Sequence, residues 1–258
     1  VLERALDHLI ARDERQARWL GIKRTAIACV VHFGVGMSVV LYGPLVGWRT
    51  SPSSPSVAVV PIIGSIGGNN PAGANLIVPA IDAACSSSSV RAVVLRIDSP
   101  GGAPADAERI SSAIAECKRA KPDRPILAVI EGTGASAAYL IAIQADQVFA
   151  GRYSVVGSIG AVMRGFDAQD ALGRFGIRER VYASGPLKAA NSPWSSNTPD
   201  QGKATQEVVD QVGRIFQAEV AQRRGSRLKT ETPDLFSGRV WVGQEALELG
   251  LLDGLSTF

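Results

Sequence analysis

The sequence predicts an α/β fold built on a mostly parallel sheet, and three observations carry that reading. Short apolar runs rich in Val and Ile recur at strand length: Val57–Ile63, Val90–Ile97 and Ile126–Ile130. Between them lie Asn75–Cys85 and Pro104–Lys118, whose apolar residues fall at helical spacing. Strands alternating with helices argue a parallel sheet covered on both faces. The composition fits: of 258 residues, 46% are hydrophobic and 20% charged, enough for one good-sized core beyond any membrane anchor. A formal net charge of only +3 gives no reason to expect nucleic acid as a partner.

Taken in order, residues 1–24 are charged, with Leu2, Leu6, Leu9 and Ile10 at helical spacing. From Thr25 to Trp48 there is no Asp, Glu, Lys or Arg. As a helix that stretch runs ~36 Å, enough to cross a bilayer with some tilt. Trp19, Tyr42 and Trp48 stand near its ends, where interfacial aromatics gather. Arg4, Arg12, Arg15, Arg18, Lys23 and Arg24 precede it, and only Arg49 follows before Arg91. That asymmetry puts the N-terminus in the cytoplasm and everything after residue 50 outside. A cleaved signal peptide fits less well, because the preceding region is long and contains acidic residues. A buried core helix fits less well, because the charge-free run is too long. Residues 49–56, containing Thr-Ser-Pro-Ser-Ser-Pro-Ser, make a linker with nothing to pack. The globular domain is then 57–258.

Its second half continues the alternation. Val148–Ala150, Val155–Val162 and Arg178–Ala183 read as strands, Asp167–Gly173 as a short helix and Thr198–Arg224 as a long one. Arg239–Val242 and Gln244–Leu249 close the domain.

The stretch that organises the chemistry is Glu131–Ile143, EGTGASAAYLIAI. An apolar strand, a turn of small residues and a helix-forming run raise one hydroxyl, that of Ser136, to a helix start where backbone N–H groups lack partners. The same pattern also describes an ordinary glycine-rich turn with an N-cap serine. One strand–helix unit earlier, Asp98-Ser99-Pro100-Gly101-Gly102 forms a turn whose glycines let backbone N–H groups approach a ligand. Gly102 or Gly101 on one side and Ala137 on the other would make a two-sided oxyanion hole.

The histidine count decides which base is available. Both histidines, His8 and His32, precede the globular domain, so a Ser-His-Asp triad and a histidine-ligated metal are excluded there. Cys29, Cys85 and Cys117 have no metal-like spacing. Cys85 and Cys117 are expected as buried free thiols on separate helices. Beyond the span, Lys118, Lys121, Lys203 and Lys229 sit in charged or polar surroundings and read as solvated. Lys188 lies among Ser184, Gly185, Pro186, Leu187, Ala189 and Ala190. A lysine desolvated in such company suits a general base, although a snorkelling surface lysine has the same composition around it.

SPGG, GASAAYLIA, VVGSIGAV, SGPLKAANSP and GRVWVGQEALELGLLDGL, in that order, resemble the signal peptide peptidase A family. These are membrane-anchored bacterial serine peptidases of the Clp-protease/crotonase superfamily. The resemblance covers about Val57 to Leu255 and implies a Clp-protease/crotonase-like parallel-sheet domain preceded by one transmembrane helix. It implies Ser136 as nucleophile, Lys188 as general base and Ser158 as the hydroxyl that orients the lysine. Gly101, Gly102 and Ala137 take the oxyanion-hole positions. No metal or other cofactor is implied. The implied substrates are peptides in or near the membrane, such as residual signal peptides, and the implied partner is further copies of the chain in a ring or dome. The implied location is the bacterial inner membrane, with the catalytic domain outside the cytoplasm. One departure stands out: Ala137-Ala138 replaces the family's usual Gly-Gly; alanine still donates its backbone N–H, so the added Cβ bears on the width of the cleft and substrate preference more than on the chemistry.

Overall fold

The computed structural model describes Trp19, residues 21–38 and residues 54–258. These residues belong to two units, Val1–Ser51 and Pro52–Phe258. In the first, residues 21–38 form helix α1, with Ile27, Val30 and Phe33 exposed. Among the described residues no helix is long and apolar enough to cross a membrane. The predicted span runs on to Trp48, and its residues 39–48 lie outside the described residues, as do 1–18 and 49–53.

The second unit alternates strand and helix: β1 (Ser56–Ile63), α2 (Ala74–Ser86), β2 (Val90–Ser99), α3 (Pro104–Ala120), β3 (Ile126–Ala135) and α4 (Ala137–Ala142). Then come β4 (Gln147–Ala150), β5 (Val155–Gly157), α5 (Gln169–Arg174), α6 (Pro199–Arg224), β6 (Val240–Val242), α7 (Gly243–Glu248) and β7 (Gly254–Leu255). The sheet order is β1-β2-β3-β4-β7, with β5 on β3 and β6 on β5. Every pairing is parallel except β5 with β6. The α/β, parallel-dominated fold expected from the sequence is therefore the fold observed.

β3 positions the site. Its first half, Leu127–Ile130, pairs with β4, and its last residues, Thr133–Ala135, pair with β5. Between the halves β3 bulges against β2: Ile97 faces Ile130, but Ser99 faces Gly134. Asp98 fills the gap, its Oδ1 accepting from the Thr133 N–H at 2.9 Å. Gly132 leaves it room, since a Cβ there would stand 2.7 Å from the same oxygen. β3 thus runs five residues past the predicted apolar run, and the turn comes only at Ser136.

Helices α2, α3 and α4 pack together and against the β1–β3 strands, burying Ile77, Ile81, Ile110, Ile114 and Ile141 with Leu95, Ile97 and Ile130. Pro104 opens α3, where its missing N–H costs nothing. Thr198 opens α6 with a capping box, its Oγ1 accepting from the Gln201 N–H while Gln201 accepts from the Thr198 N–H. The expectation of a sheet covered on both faces does not hold at β1. Val57, Val59 and Ile63 point to solvent from the face opposite the helices.

Cys85 and Cys117 form a disulfide between α2 and α3, with Cα atoms 5.7 Å apart. The expectation of two free thiols is therefore corrected. Both helices follow parallel strands and so run the same way, and both cysteines sit in the closing turns. Lys118, read as solvated, instead pairs with Asp146 at 2.5 Å and donates to the Gln144 carbonyl. Arg124 donates to the carbonyls of Ala84, Cys85 and Ser87, closing the open end of α2.

Two strand expectations change. Val155–Val162 ends as a strand at Gly157, because Ser158 turns to φ 52°. Arg178–Ala183 forms no strand: its residues are exposed, and no neighbouring strand pairs with it among the described residues.

Candidate active site

Ser136 and Ser158 are brought together by register. Ala135 pairs with Gly157, so the next residue of each parallel strand, Ser136 after β3 and Ser158 after β5, emerges side by side at the sheet's carboxyl edge. Both leave their strands with the left-handed backbone that non-glycine residues seldom adopt, at φ 53° and 52°. Hydrogen bonds hold each bend: the Ser136 N–H donates to the Gly157 carbonyl, and the Ser158 N–H to the Arg239 carbonyl, each at 2.8 Å. Strain of this kind persists only where the surroundings over-determine it, and it clusters at functional sites. Neither serine hydroxyl is taken up by another group among the described residues.

Gly101 and Gly102 close one side. The Gly101 backbone packs so tightly on Ser136 that a Cβ would stand 2.8 Å from the Ser136 Cβ and 2.9 Å from the Ala137 nitrogen. Its N–H donates to Ser99 Oγ at 3.2 Å. Ile66 fixes the rest of the turn, donating its N–H to the Gly101 carbonyl and accepting from the Ala103 N–H, each at 2.9 Å. That leaves the Gly102 N–H, and the Ala137 N–H at the first position of α4, without an acceptor among the described residues. Ala137 and Ala138 bury their methyls in the core instead of projecting into the cleft.

Beside the two serines opens a cavity of about 520 Å³. Its lining combines the small residues Gly160, Ala161 and Gly213 with Arg164, Arg214 and Phe236. The sequence reading missed the α6 wall. One signal was present: Gly213 stands inside a long helix, where glycine costs about 1 kcal/mol relative to alanine and therefore often marks a close approach. Here a Cβ would meet only the Ala161 nitrogen, at 4.0 Å, so the helix face beside the cavity is open without being a tight contact.

Lys188 is not among the groups brought together. It lies exposed in a turn between β5 and α6, its N–H donating to the Gly185 carbonyl. Its neighbours Gly185, Pro186 and Ala189 line a separate hollow with Thr198 and Gln201. The desolvated setting expected from the sequence is absent in the single chain. Among the described residues no group of three or more His, Cys, Asp or Glu is placed to hold a metal ion.

A stretch of 166 residues, 64% of this chain, is 32% identical to 47% of the putative signal peptide peptidase SppA of Enterococcus faecium. Another of 206 residues, 78% of this chain, is 26% identical to 33% of Protease 4 of Haemophilus influenzae. A third of 164 residues, 64% of this chain, is 34% identical to 22% of a Brucella melitensis protein named Na(+)/H(+) antiporter NhaA. The chain thus spans about half or less of the length of these relatives. The family model for peptidase family S49 matches residues 118–258, the stretch that contains Ser136, Ser158 and Lys188. More than half of the sequence is matched, and the chain belongs to peptidase family S49.

Proposed function

We propose that the chain is a membrane-anchored serine endopeptidase working through a Ser136–Lys188 dyad. The observation that carries the reading is the register that sets Ser136 beside Ser158, with two unpaired backbone N–H groups next to the nucleophile. In this mechanism Ser136 Oγ attacks the peptide carbonyl carbon while the Lys188 amine takes its proton. The oxyanion accepts from the Gly102 and Ala137 N–H groups, and Gly101 holds the turn against the serine. Lys188 returns the proton to the leaving amine, and water then hydrolyses the acyl-enzyme. Ser158 accepts a hydrogen bond from the amine and aims it.

Lys188 reaches Ser136 from a second copy of the chain. Its exposure away from the cavity supports this, as do Phe166, Phe175 and Tyr182, which stand 90%, 81% and 94% exposed on the same segment. Large apolar side chains left in water mark a surface that seeks a partner. The charge-free run from Thr25 supports the anchor, and the Cys85–Cys117 disulfide supports a domain outside the reducing cytoplasm. Substrates are then peptides at the membrane, including residual signal peptides.

An acyl-CoA hydratase or hydrolase on the same fold needs CoA, which is scarce outside the cytoplasm. A silent scaffold needs neither serine. The experiment is turnover of a fluorogenic peptide by purified, folded variants. Ser136→Ala and Lys188→Ala should each lose activity by at least about a thousandfold, and the double variant should be little worse. Ser158→Ala should retain part. Mixing the two dead single variants should restore turnover if the dyad forms between copies. A folded Lys188→Ala enzyme with close to wild-type turnover would refute the dyad.

A further inference from the structure

The cavity beside Ser136 and Ser158 is walled by two guanidinium groups, Arg164 and Arg214. Neither makes an ion pair or a hydrogen bond among the described residues, so both guanidinium groups are free to take a ligand. The lining has one carboxylate, Asp210, and its Oδ1 already accepts from Gln206 Nε2 at 2.7 Å. Gln206 and Gln217 add neutral polar groups to the walls, and Phe236 adds an apolar one. Two cations against one carboxylate leave the lining with a formal excess of one positive charge. The small residues Gly160, Ala161 and Gly213 in the lining leave the cavity its volume of about 520 Å³, room for a substrate group.

We propose that this cavity receives a carboxylate of the substrate peptide, held by Arg164 and Arg214 while the scissile bond lies at Ser136. The inference rests on Ser136 being the nucleophile and names the substrate class for that site: peptides that carry a carboxylate, from an acidic side chain or a free C-terminus, close to the scissile bond. Guanidinium is the side chain best suited to the task, because its planar donors match a carboxylate in pairs. The carboxylate comes either from an Asp or Glu side chain or from a free peptide C-terminus. Both arginines are open to solvent, so the attraction is screened by salt.

The test uses the full chain carrying Ser136→Ala, confirmed folded by circular dichroism, and measures peptide binding by fluorescence anisotropy. One peptide pair differs only by Glu against Gln and carries an amidated C-terminus. A second pair contains no acidic residue and differs only by a free against an amidated C-terminus. The acid of at least one pair should bind roughly tenfold more tightly than its amide, the scale of one charge-assisted contact, with the gap shrinking at high salt. The pair that shows the gap identifies the source of the carboxylate. Adding Arg164→Gln or Arg214→Gln should collapse that ratio, and Arg214→Glu should reverse it in favour of a Lys-containing peptide. Equal binding of acid and amide in both pairs overturns the inference, as does a ratio untouched by the arginine changes. Turnover of the same peptides by the wild-type chain tests the nucleophile separately: no Ser136-dependent cleavage of any of them defeats that reading, whatever the binding shows.

Discussion

A side chain at residue 101 would collide with the site. At φ 99°, Gly101 has a conformation that L residues rarely adopt, and its Cα faces Ser136 at a distance with no room for a methyl. Gly101→Ala should therefore cost about 1–3 kcal/mol of stability and displace Ser136, cutting turnover more than the loss of stability explains. Chemical denaturation beside kcat measures both; a variant with normal stability and normal kcat would show that the close approach is unimportant. Titration acts at the same scale. Burial raises the Asp253 carboxyl, but hydrogen bonds from Arg224 and the Val148 N–H, with the charges of Arg224 and Arg227, outweigh it and hold the group below its usual range. A carboxyl depressed in the folded state adds stability that is present above its unfolded value and lost as pH falls through its folded value. Asp253→Asn should thus be less stable than wild type at pH 7, with the gap closing as pH falls below about 4. A gap that stays constant between pH 7 and pH 3 would remove Asp253 from the account.

Among the elements, what the sequence made legible tracks how local the signal is. β1, β2, α2 and α3 carry uninterrupted periodicity, and their ends fall within two residues of the predicted ones. β3 and β5 were misjudged in length because their ends depend on pairing: Thr133–Ala135 is strand only through β5, and β5 stops where Ser158 bends. Ser136 was legible as the residue between an apolar strand and a helix, and Gly101-Gly102 as the turn beside it. The proximity of Ser158 to Ser136 came from resemblance, since register is a tertiary property that no local pattern states. The Cys85–Cys117 bridge was missed, although two cysteines near the ends of successive parallel crossover helices were the available clue. By chain entropy a loop of this length is worth about 3–4 kcal/mol. Cys85→Ser with Cys117→Ser should lower stability by that order. In cells, alkylation before lysis should leave both cysteines unmodified until a reductant is added. Ready alkylation of both without reductant would place the domain in a reducing compartment.

For the whole molecule, the carboxyl edge of the sheet gathers the chemistry and the far end of the domain secures the fold. Arg224, at the end of α6 and almost fully buried, forks onto Asp253 and donates to the Gly250 carbonyl, while the Tyr139 hydroxyl donates to the Leu251 carbonyl. The long helix that walls the cavity is thereby tied to the C-terminal strand and to α4, the helix that begins beside Ser136. This frame presents Ser136 and Ser158 at one mouth, while Lys188 stands on an exposed segment. A fluorophosphonate probe reacts with an activated serine and so reads the proposed role of Ser136 directly. Labelling of the full chain, mapped by peptide mass spectrometry, should place one adduct on Ser136. The adduct should be absent in Ser136→Ala and form far more slowly in Lys188→Ala. A wild-type chain that stays unlabelled, or one labelled equally well after Ser136→Ala, would contradict the account.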